Sequence, residues 1–560
     1  MSRPAAGDAS APAGAAPSTR NSTLVAAGIL LSRVAGLVRE LLIAGLLGPV
    51  PALDAFRAAL RIPNLLQNLL GEGVLSASFI PVYSRLLAEG RREEASRVAG
   101  AVAGLLLAVA GALAVLGAFA ARPLTLLIVP GYSGARLELT VDLVRILFPG
   151  VGFLVLSAWC LGVLNSHRRF FLAYVAPVLW NGAAVAGLVG GAVAGLTGAP
   201  LATALAWGTF AGGVAQFAVQ VPGVRRLEPG LRPTLGTGDA ATRQVLRAFV
   251  PALTGRGAVQ LLAFVDLFLA SYLATAAPSA IGFAQVLYLL PISLFGMSVA
   301  AAELPELAST DPGDRAAVRA RLTSGLERVA FFVVPTAAVY LLLGDLVVGA
   351  LYQRGDFGPL DTLQVWAVLA GYSVGLNATT SSRLLQSALY ASGDTRSPAL
   401  FSVARVLLAA AVGAVLMLQL DRVAVTAGGL ELAGSLPAFV PVEAALRDAS
   451  DNAHRLGAVG LSLAAGTSAW LEYALLRRRL GARRGELRWG GGARGPIAAG
   501  AAAAVVAGLA VRLLVGDLPP LLAAPLVLVP AGLAYLAVTA ALGAREAVAL
   551  ARLPRRLLRR

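Results

Sequence analysis

Apolar stretches about 20 residues long, the length of helix that crosses a hydrocarbon core of about 30 Å, recur along nearly the whole of this 560-residue chain. No other feature constrains its fold so tightly, because a chain built this way has the bilayer as its solvent. The composition agrees: 57% of residues are hydrophobic, 14% are charged and the mean hydropathy is +0.76, which excludes a soluble globule. The expected fold class is an all-α integral membrane protein.

Apolar spans between polar breaks predict about fourteen helices, at 22–48, 57–88, 98–121, 137–164, 170–196, 199–221, 243–273, 279–308, 322–351, 361–392, 396–420, 456–477, 495–515 and 519–543. Several exceed a straight crossing, so tilts, kinks or interfacial extensions are expected. A net charge of +16 and a pI near 11.0 would suggest nucleic acid for a soluble chain. Here the arginines collect in alternate loops: Arg85 to Arg97, Arg168 and Arg169, Arg225 to Arg232, Arg315 to Arg321, Arg396, Arg477 to Arg494 and Arg552 to Arg560. The intervening loops, near Val50, Pro130, Pro200, Pro278, Asp356 and Pro519, are nearly free of arginine. The positive-inside rule then places the Arg-rich set and both termini in the cytoplasm, and the arginines read as topology signals with no nucleic-acid partner. Residues 1–21 read as a disordered tail, since no compact apolar core precedes a small-residue cleavage site. Cys160 lies alone inside an apolar span and reads as a small core residue.

An internal repeat is visible at a spacing of about 223 residues. Phe79-Ile80-Pro81 lines up with Glu303-Leu304-Pro305, Gly73 with Gly296 and Gly152 with Gly375, while Leu164-Asn165-Ser166 falls near Tyr390-Ala391-Ser392. Each copy holds six spans. An even number returns the chain to its starting side, so the copies are expected to be parallel repeats, two six-helix bundles facing each other across a central cavity. The expected domains are a tail at 1–21, an N-terminal bundle at 22–221, a linker at 222–242, and a C-terminal bundle at 243–477 that includes a long outer loop at 421–455. A basic loop at 478–494, two additional helices at 495–543 and a basic tail at 544–560 follow.

Charges inside spans mark function, because each costs about 2.5–3.5 kcal/mol at a helix centre on insertion scales. In the first span Arg33, Gly36 and Glu40 share a face and Arg39 points elsewhere. One reading is an Arg33–Glu40 ion pair that fixes packing. The other is a cavity whose surplus positive charge takes an anionic ligand. The second span holds Asp54, Arg61, Pro63, Asn64 and Gly71-Glu72-Gly73, which points to a broken or bent helix lining a cavity, with Asp54, Glu72 and Gly73 structural or gating. Arg256 and Asp266 share a later span, Glu303 and Glu306 flank Pro305, and Arg383 and Arg405 follow. Asp266 reads as a site for a coupling cation or proton, or as half of a structural ion pair. No enzyme constellation is present: His167 and His454 are the two histidines, both in loops, and no phosphate-cradling P-loop or clustered metal ligands appear. No cofactor or metal is expected, and direct ATP hydrolysis is not the energy source.

The stretch Ser32 to Glu40, then Asp54-Ala55-Phe56, Pro63-Asn64-Leu65-Leu66 and Gly71-Glu72-Gly73 through Ser76, Phe79 and Pro81, resembles the first two helices of the MurJ/MviN family. Leu164-Asn165-Ser166 with Phe170, Pro177 and Asn181 is similar to the family's fourth and fifth helices. Tyr352 to Phe357, Tyr372 to Leu376 and Tyr390 to Pro398 are similar to its second half. The resemblance covers about 22–420. It implies the multidrug/oligosaccharidyl-lipid/polysaccharide exporter fold, fourteen helices in two lobes, and flipping of the undecaprenyl-pyrophosphate-linked peptidoglycan precursor, lipid II, by alternating access. Arg33 and Arg39 match family cavity arginines, Arg383 falls where the tenth helix carries a basic residue, and Asp266 aligns with a cation-binding position. Two family arginines are replaced, by Gln67 and Val286, and the eleventh span lacks the expected Asn/Asp ligands.

The resulting expectation is a flippase whose substrate-binding residues are Arg33, Arg39, Arg61, Asn64, Arg256 and Arg383. Arg61 and Arg256 would stand in for the two missing arginines. Sodium, protons or the membrane potential would drive it, and cell-wall synthesis proteins are potential partners. An exporter of another lipid-linked glycan or an amphipathic drug, and a non-transporting cell-envelope scaffold, are the competing readings.

Overall fold

The computed structural model describes residues 19–249, 264–297, 299, 315–426, 428–447, 454–484, 494–516 and 518–548. Arg256, Glu303, Glu306, most of the tail at 1–21 and parts of both basic segments near the C-terminus lie outside these residues. The described chain is helical apart from one hairpin, and among the described residues eleven helices are long and apolar enough to cross a membrane.

The first bundle comprises α1 (Thr19–Leu47), α2 (Pro51–Leu70), α3 (Glu72–Ala88), α4 (Arg92–Phe119), α5 (Ala121–Ile128), α6 (Gly134–Ser166), α7 (Phe170–Val193) and α8 (Gly198–Leu227). Pro51 occupies the first turn of α2, where its missing N–H costs nothing. That start lies six residues before the expected 57, and it brings Arg57 well inside the helix. The span breaks at Gly71, as its Pro and Gly content predicts. A Cβ at Gly71 would sit 2.3 Å from the Gln67 carbonyl oxygen, so a side chain cannot follow the chain through this turn. Packing rests on small residues: a Cβ on Gly187 of α7 would lie 2.8 Å from the Gly208 Cα of α8.

The second bundle comprises α9 (Val265–Ala270), α10 (Ala277–Pro291) with a π-helical continuation at Ile292–Met297, α11 (Arg315–Leu342), α12 (Gly344–Tyr352), α13 (Pro359–Ser373), α14 (Leu376–Ala391) and α15 (Arg396–Leu420). It closes with α17 (Gly457–Arg484), which packs on α13, α14 and α15. The expected single helices at 322–351 and 361–392 are each two, broken near Leu343 and Gly375. Gly375 lies so close to α17 that a Cβ there would be 2.2 Å from the Gly466 oxygen. Its repeat partner Gly152 sits inside the unbroken α6, so the two copies diverge locally. Finally α18 (Arg494–Val515) and α19 (Pro520–Ala541) pair with each other and lean on α11 and α12.

The loop at 421–455 holds an unexpected hairpin, β1 (Val423–Thr426) with β2 (Gly429–Leu432), and a single helical turn, α16 (Ala444–Arg447). Its base is tied by the Arg455 Nη1 bond to the Asp421 carbonyl at 2.8 Å and by Ala438 N donating to Gln419 Oε1 at 2.9 Å. The Asp421 carboxyl is 1% exposed. Burial pushes its pKa up to about 6 against the opposing pull of Arg455. A raised folded-state pKa stabilises the loop below the ordinary value of 3.8 and loses that contribution as pH climbs to about 6. The loss is on the order of 2–3 kcal/mol. Asp421→Asn should therefore flatten the pH dependence of amide exchange over 421–456 between pH about 4 and 6; the same slope in the variant would contradict this account.

Candidate functional site

Helix α2 carries Arg57, Arg61 and Asn64 at i, i+4 and i+7, which puts them on one face. That face meets Arg39 and Glu40 of α1, Asp266 of α9, and Gln285 and Val286 of α10 around a cavity of about 290 Å³ between the bundles. Among the described residues three arginines, Arg39, Arg57 and Arg61, therefore face two carboxylates, a positive surplus.

Glu40 is the hub. Arg39 Nη2 donates to its Oε1 at 3.0 Å, and Arg57 Nη2 donates to its Oε2 at 3.0 Å. Each guanidinium also lies over an aromatic ring, Arg39 over Trp180 at 4.8 Å and Arg57 over Phe283 at 4.5 Å. The expected Arg33–Glu40 pair is corrected: Glu40 is held by Arg39 and Arg57, and Arg33 lies on an exposed part of α1. Helical periodicity groups residues on one helix, whereas this carboxylate found its second partner on the next. Arg61, Asn64 and Asp266 do line the cavity, and Arg61 and Arg405 lie within electrostatic reach of Asp266. Arg383 is exposed on α14, away from the residues lining the cavity. Arg405 is bound to Glu472 at 2.9 Å, with Gln386 and Ser402 donating to the same carboxylate. Gly73 lies in the first turn of α3, which begins at Glu72.

Two residues of weight escaped the sequence reading. Arg57 stands at the first residue of the expected span 57–88, and its spacing of four from Arg61 is the signal that puts the two on one helix face. Arg136 stands one residue before the expected span 137–164, yet it is 5% exposed.

Arg136 belongs to a closure at the Arg-poor end of the molecule. Asp54, fully buried, accepts Arg136 Nη2 at 2.8 Å, Ser279 Oγ at 2.5 Å, Ser279 N at 2.8 Å and Ala276 N at 2.9 Å. Ala276 precedes α10 and has no side chain with which to cap it, so a carboxylate from the other bundle satisfies the orphan amides. Negative charge is also favoured at that end of the helix. Nearby, Asp356 N donates to the Gly45 oxygen at 3.1 Å, Gly131 N to Ser271 Oγ at 3.1 Å, and Arg447 of the long loop to the Gly131 oxygen. The loops near Val50, Pro130, Pro278 and Asp356 thus converge. Arg-rich loops gather elsewhere, where Tyr83 donates to Glu228 at 2.7 Å and Arg85 to Gln244 at 2.9 Å. On another side of α2 and α9 lies an apolar cleft of about 600 Å³ lined by Leu66, Leu116, Leu124, Phe148, Phe264 and Phe268, among others.

A family model described as MurJ: Lipid II flippase MurJ matches residues 43–441. The chain belongs to the lipid II flippase MurJ family. It is 34% identical over 384 residues to a probable lipid II flippase MurJ of Rhizobium tropici, covering 67% of this chain and 71% of that protein. It is 32% identical over 407 residues to a probable lipid II flippase MurJ of Bdellovibrio bacteriovorus, covering 71% and 77%. Its fold is similar to a structure titled lipid II flippase MurJ, inward closed conformation, with a TM-score of 0.71, 20% identity, and coverage of 92% and 98%. An inward-facing multidrug resistance MATE family transporter of the MOP superfamily shares the fold more distantly, with a TM-score of 0.58, 14% identity, and coverage of 83% and 99%. The protein is therefore a multi-pass membrane transporter of the MurJ family and not an enzyme. Within that frame Val286 puts an apolar side chain on the cavity wall, and the Gln67 carbonyl accepts Gly71 N at 2.7 Å in the last turn of α2.

Proposed function

We propose that this protein flips lipid II from the inner to the outer leaflet of a bacterial cytoplasmic membrane by alternating access, with its headgroup diphosphate held in the arginine-lined cavity. The observation that carries the proposal is that cavity itself, cationic, placed between two bundles and shut at one end by the Asp54 closure. Arginine suits the task because its planar fork grips phosphate oxygens in pairs and stays charged at any physiological pH. The apolar cleft beside α2 and α9 offers the polyprenyl tail a wall like the acyl chains it leaves. The positive-inside rule puts the Arg-rich loops and both termini in the cytoplasm, which makes the Asp54 closure the outer gate. The bundles at 22–221 and 243–477 then act as the two rocking bodies. Asp266 in the cavity wall is the position through which sodium or protons would couple to transport, with the membrane potential as the other drive. Cell-wall synthesis proteins that consume the flipped precursor are the natural protein partners.

Purified protein in liposomes should move labelled lipid II between leaflets, and wild type should rescue a flippase-depleted strain. Cysteine labelling from outside should reach positions near Asp356 and Pro519, both exposed, and miss those near Arg168 and Arg319. Translocation of another lipid-linked glycan in place of lipid II would assign the neutral Val286 to a change of cargo. Absence of all translocation would favour a scaffold.

A further inference from the structure

Arg57 differs from the other cavity arginines in what lies around it. It belongs to the first bundle, yet its guanidinium sits on Phe283 of the second, at 4.5 Å from the ring. Phe283 is fully buried and braced by Tyr352 and Phe357, at ring separations of 5.0 and 5.4 Å, so the platform is rigid. The next residue back is Gly282. A Cβ there would lie 2.2 Å from Arg57 Nη1, so the guanidinium occupies the notch that a missing side chain leaves. Glu40 neutralises only part of the local charge, because it serves Arg39 as well as Arg57. The Nε atoms of both arginines are buried without a hydrogen-bond acceptor.

Two forks sharing one carboxylate, with donors to spare, are short of acceptor oxygens. A single phosphate is small enough to be held by one fork. A diphosphate offers more oxygens and more charge, and can engage two forks at once. We infer that Arg57, seated across the bundle interface in the Gly282 notch, is a specificity-determining residue that selects a diphosphate over a monophosphate lipid carrier. Diphosphate oxygens supply the acceptors that Glu40 alone cannot, and Arg57 carries that contact to the second bundle through Phe283. It also restores positive charge to a cavity in which Val286 contributes none. The inference rests on the proposed function and adds the residue that reads the phosphate count.

The test is binding of undecaprenyl diphosphate and undecaprenyl monophosphate to purified full-length protein. Wild type should prefer the diphosphate. Arg57→Ala should weaken diphosphate binding about tenfold, the value of one charge-assisted contact, and leave monophosphate binding within about twofold. Glu40 keeps Arg39 in that variant, so no carboxylate is stranded. Arg57→Lys, which retains charge without the fork, should also leave monophosphate binding within about twofold and restore little of the preference for the diphosphate. Gly282→Ala, which fills the notch while keeping Arg57, should also reduce the preference; it provides the answer if Arg57→Ala does not fold. Equal losses for both carriers, or no loss, would overturn the inference while Arg39→Ala still weakened binding of both about tenfold or more. Undiminished binding by Arg39→Ala would overturn the proposed function beneath it.

Discussion

Asp54→Ala should open the end of the molecule that the Asp54 closure shuts and strongly destabilise the protein. The substitution leaves Arg136, 5% exposed, without the carboxylate opposite it, and removes the acceptors of Ala276 N, Ser279 N and Ser279 Oγ at the start of α10. Breaking a buried charge pair from one side costs about 3–5 kcal/mol, and losing a helix cap costs about 1 kcal/mol more. A cysteine pair at Gly45 and Arg354 reports the closure, since a Cβ on Gly45 would lie 3.2 Å from Arg354 Cγ across the gate. In a Cys160→Ser background this pair should cross-link readily, and adding Asp54→Ala should suppress it while lowering the melting temperature. Combining Asp54→Ala with Arg136→Leu should recover part of the stability, because the buried charge that Asp54 balanced is gone, and none of the cross-link, because α10 is still uncapped. Undiminished cross-linking in Asp54→Ala would mean that other contacts hold the gate.

Arg39→Ala is expected to cut transport about ten- to a hundredfold while sparing the fold. Arg39 lines the cavity beside Glu40, and Glu40 keeps Arg57 at 3.0 Å when Arg39 is gone, so no buried charge is abandoned. A charge-assisted bond to phosphate contributes about 1.5–3 kcal/mol, or about ten- to a hundredfold in affinity. Lipid II translocation in liposomes should fall by that factor at limiting substrate, with unchanged thermal stability. Arg33→Ala should fall far less, because Arg33 is exposed on α1 and outside the residues lining the cavity. Equal translocation by Arg39→Ala and wild type would reduce the cavity arginines to structural parts.

Membrane class, the approximate spans and the segregation of arginine into alternate loops were readable from residues alone. Each is a transfer free energy that a residue contributes wherever its helix stands, so no knowledge of neighbours is required. The break in the second span was readable for a similar reason, since Pro63 and Gly71 act on their own backbone. The pairing of charges was not. Glu40 chose Arg57 of α2 in addition to Arg39, Asp54 capped a helix more than two hundred residues away, and Arg136 was drawn in from an apparent loop. These choices depend on which helices touch and at what height, and that follows from close packing at small residues such as Gly187 against Gly208. A charge's cost in the membrane is local to its own sequence, whereas its partner is set by the three-dimensional register of helices that the chain brings together from far apart.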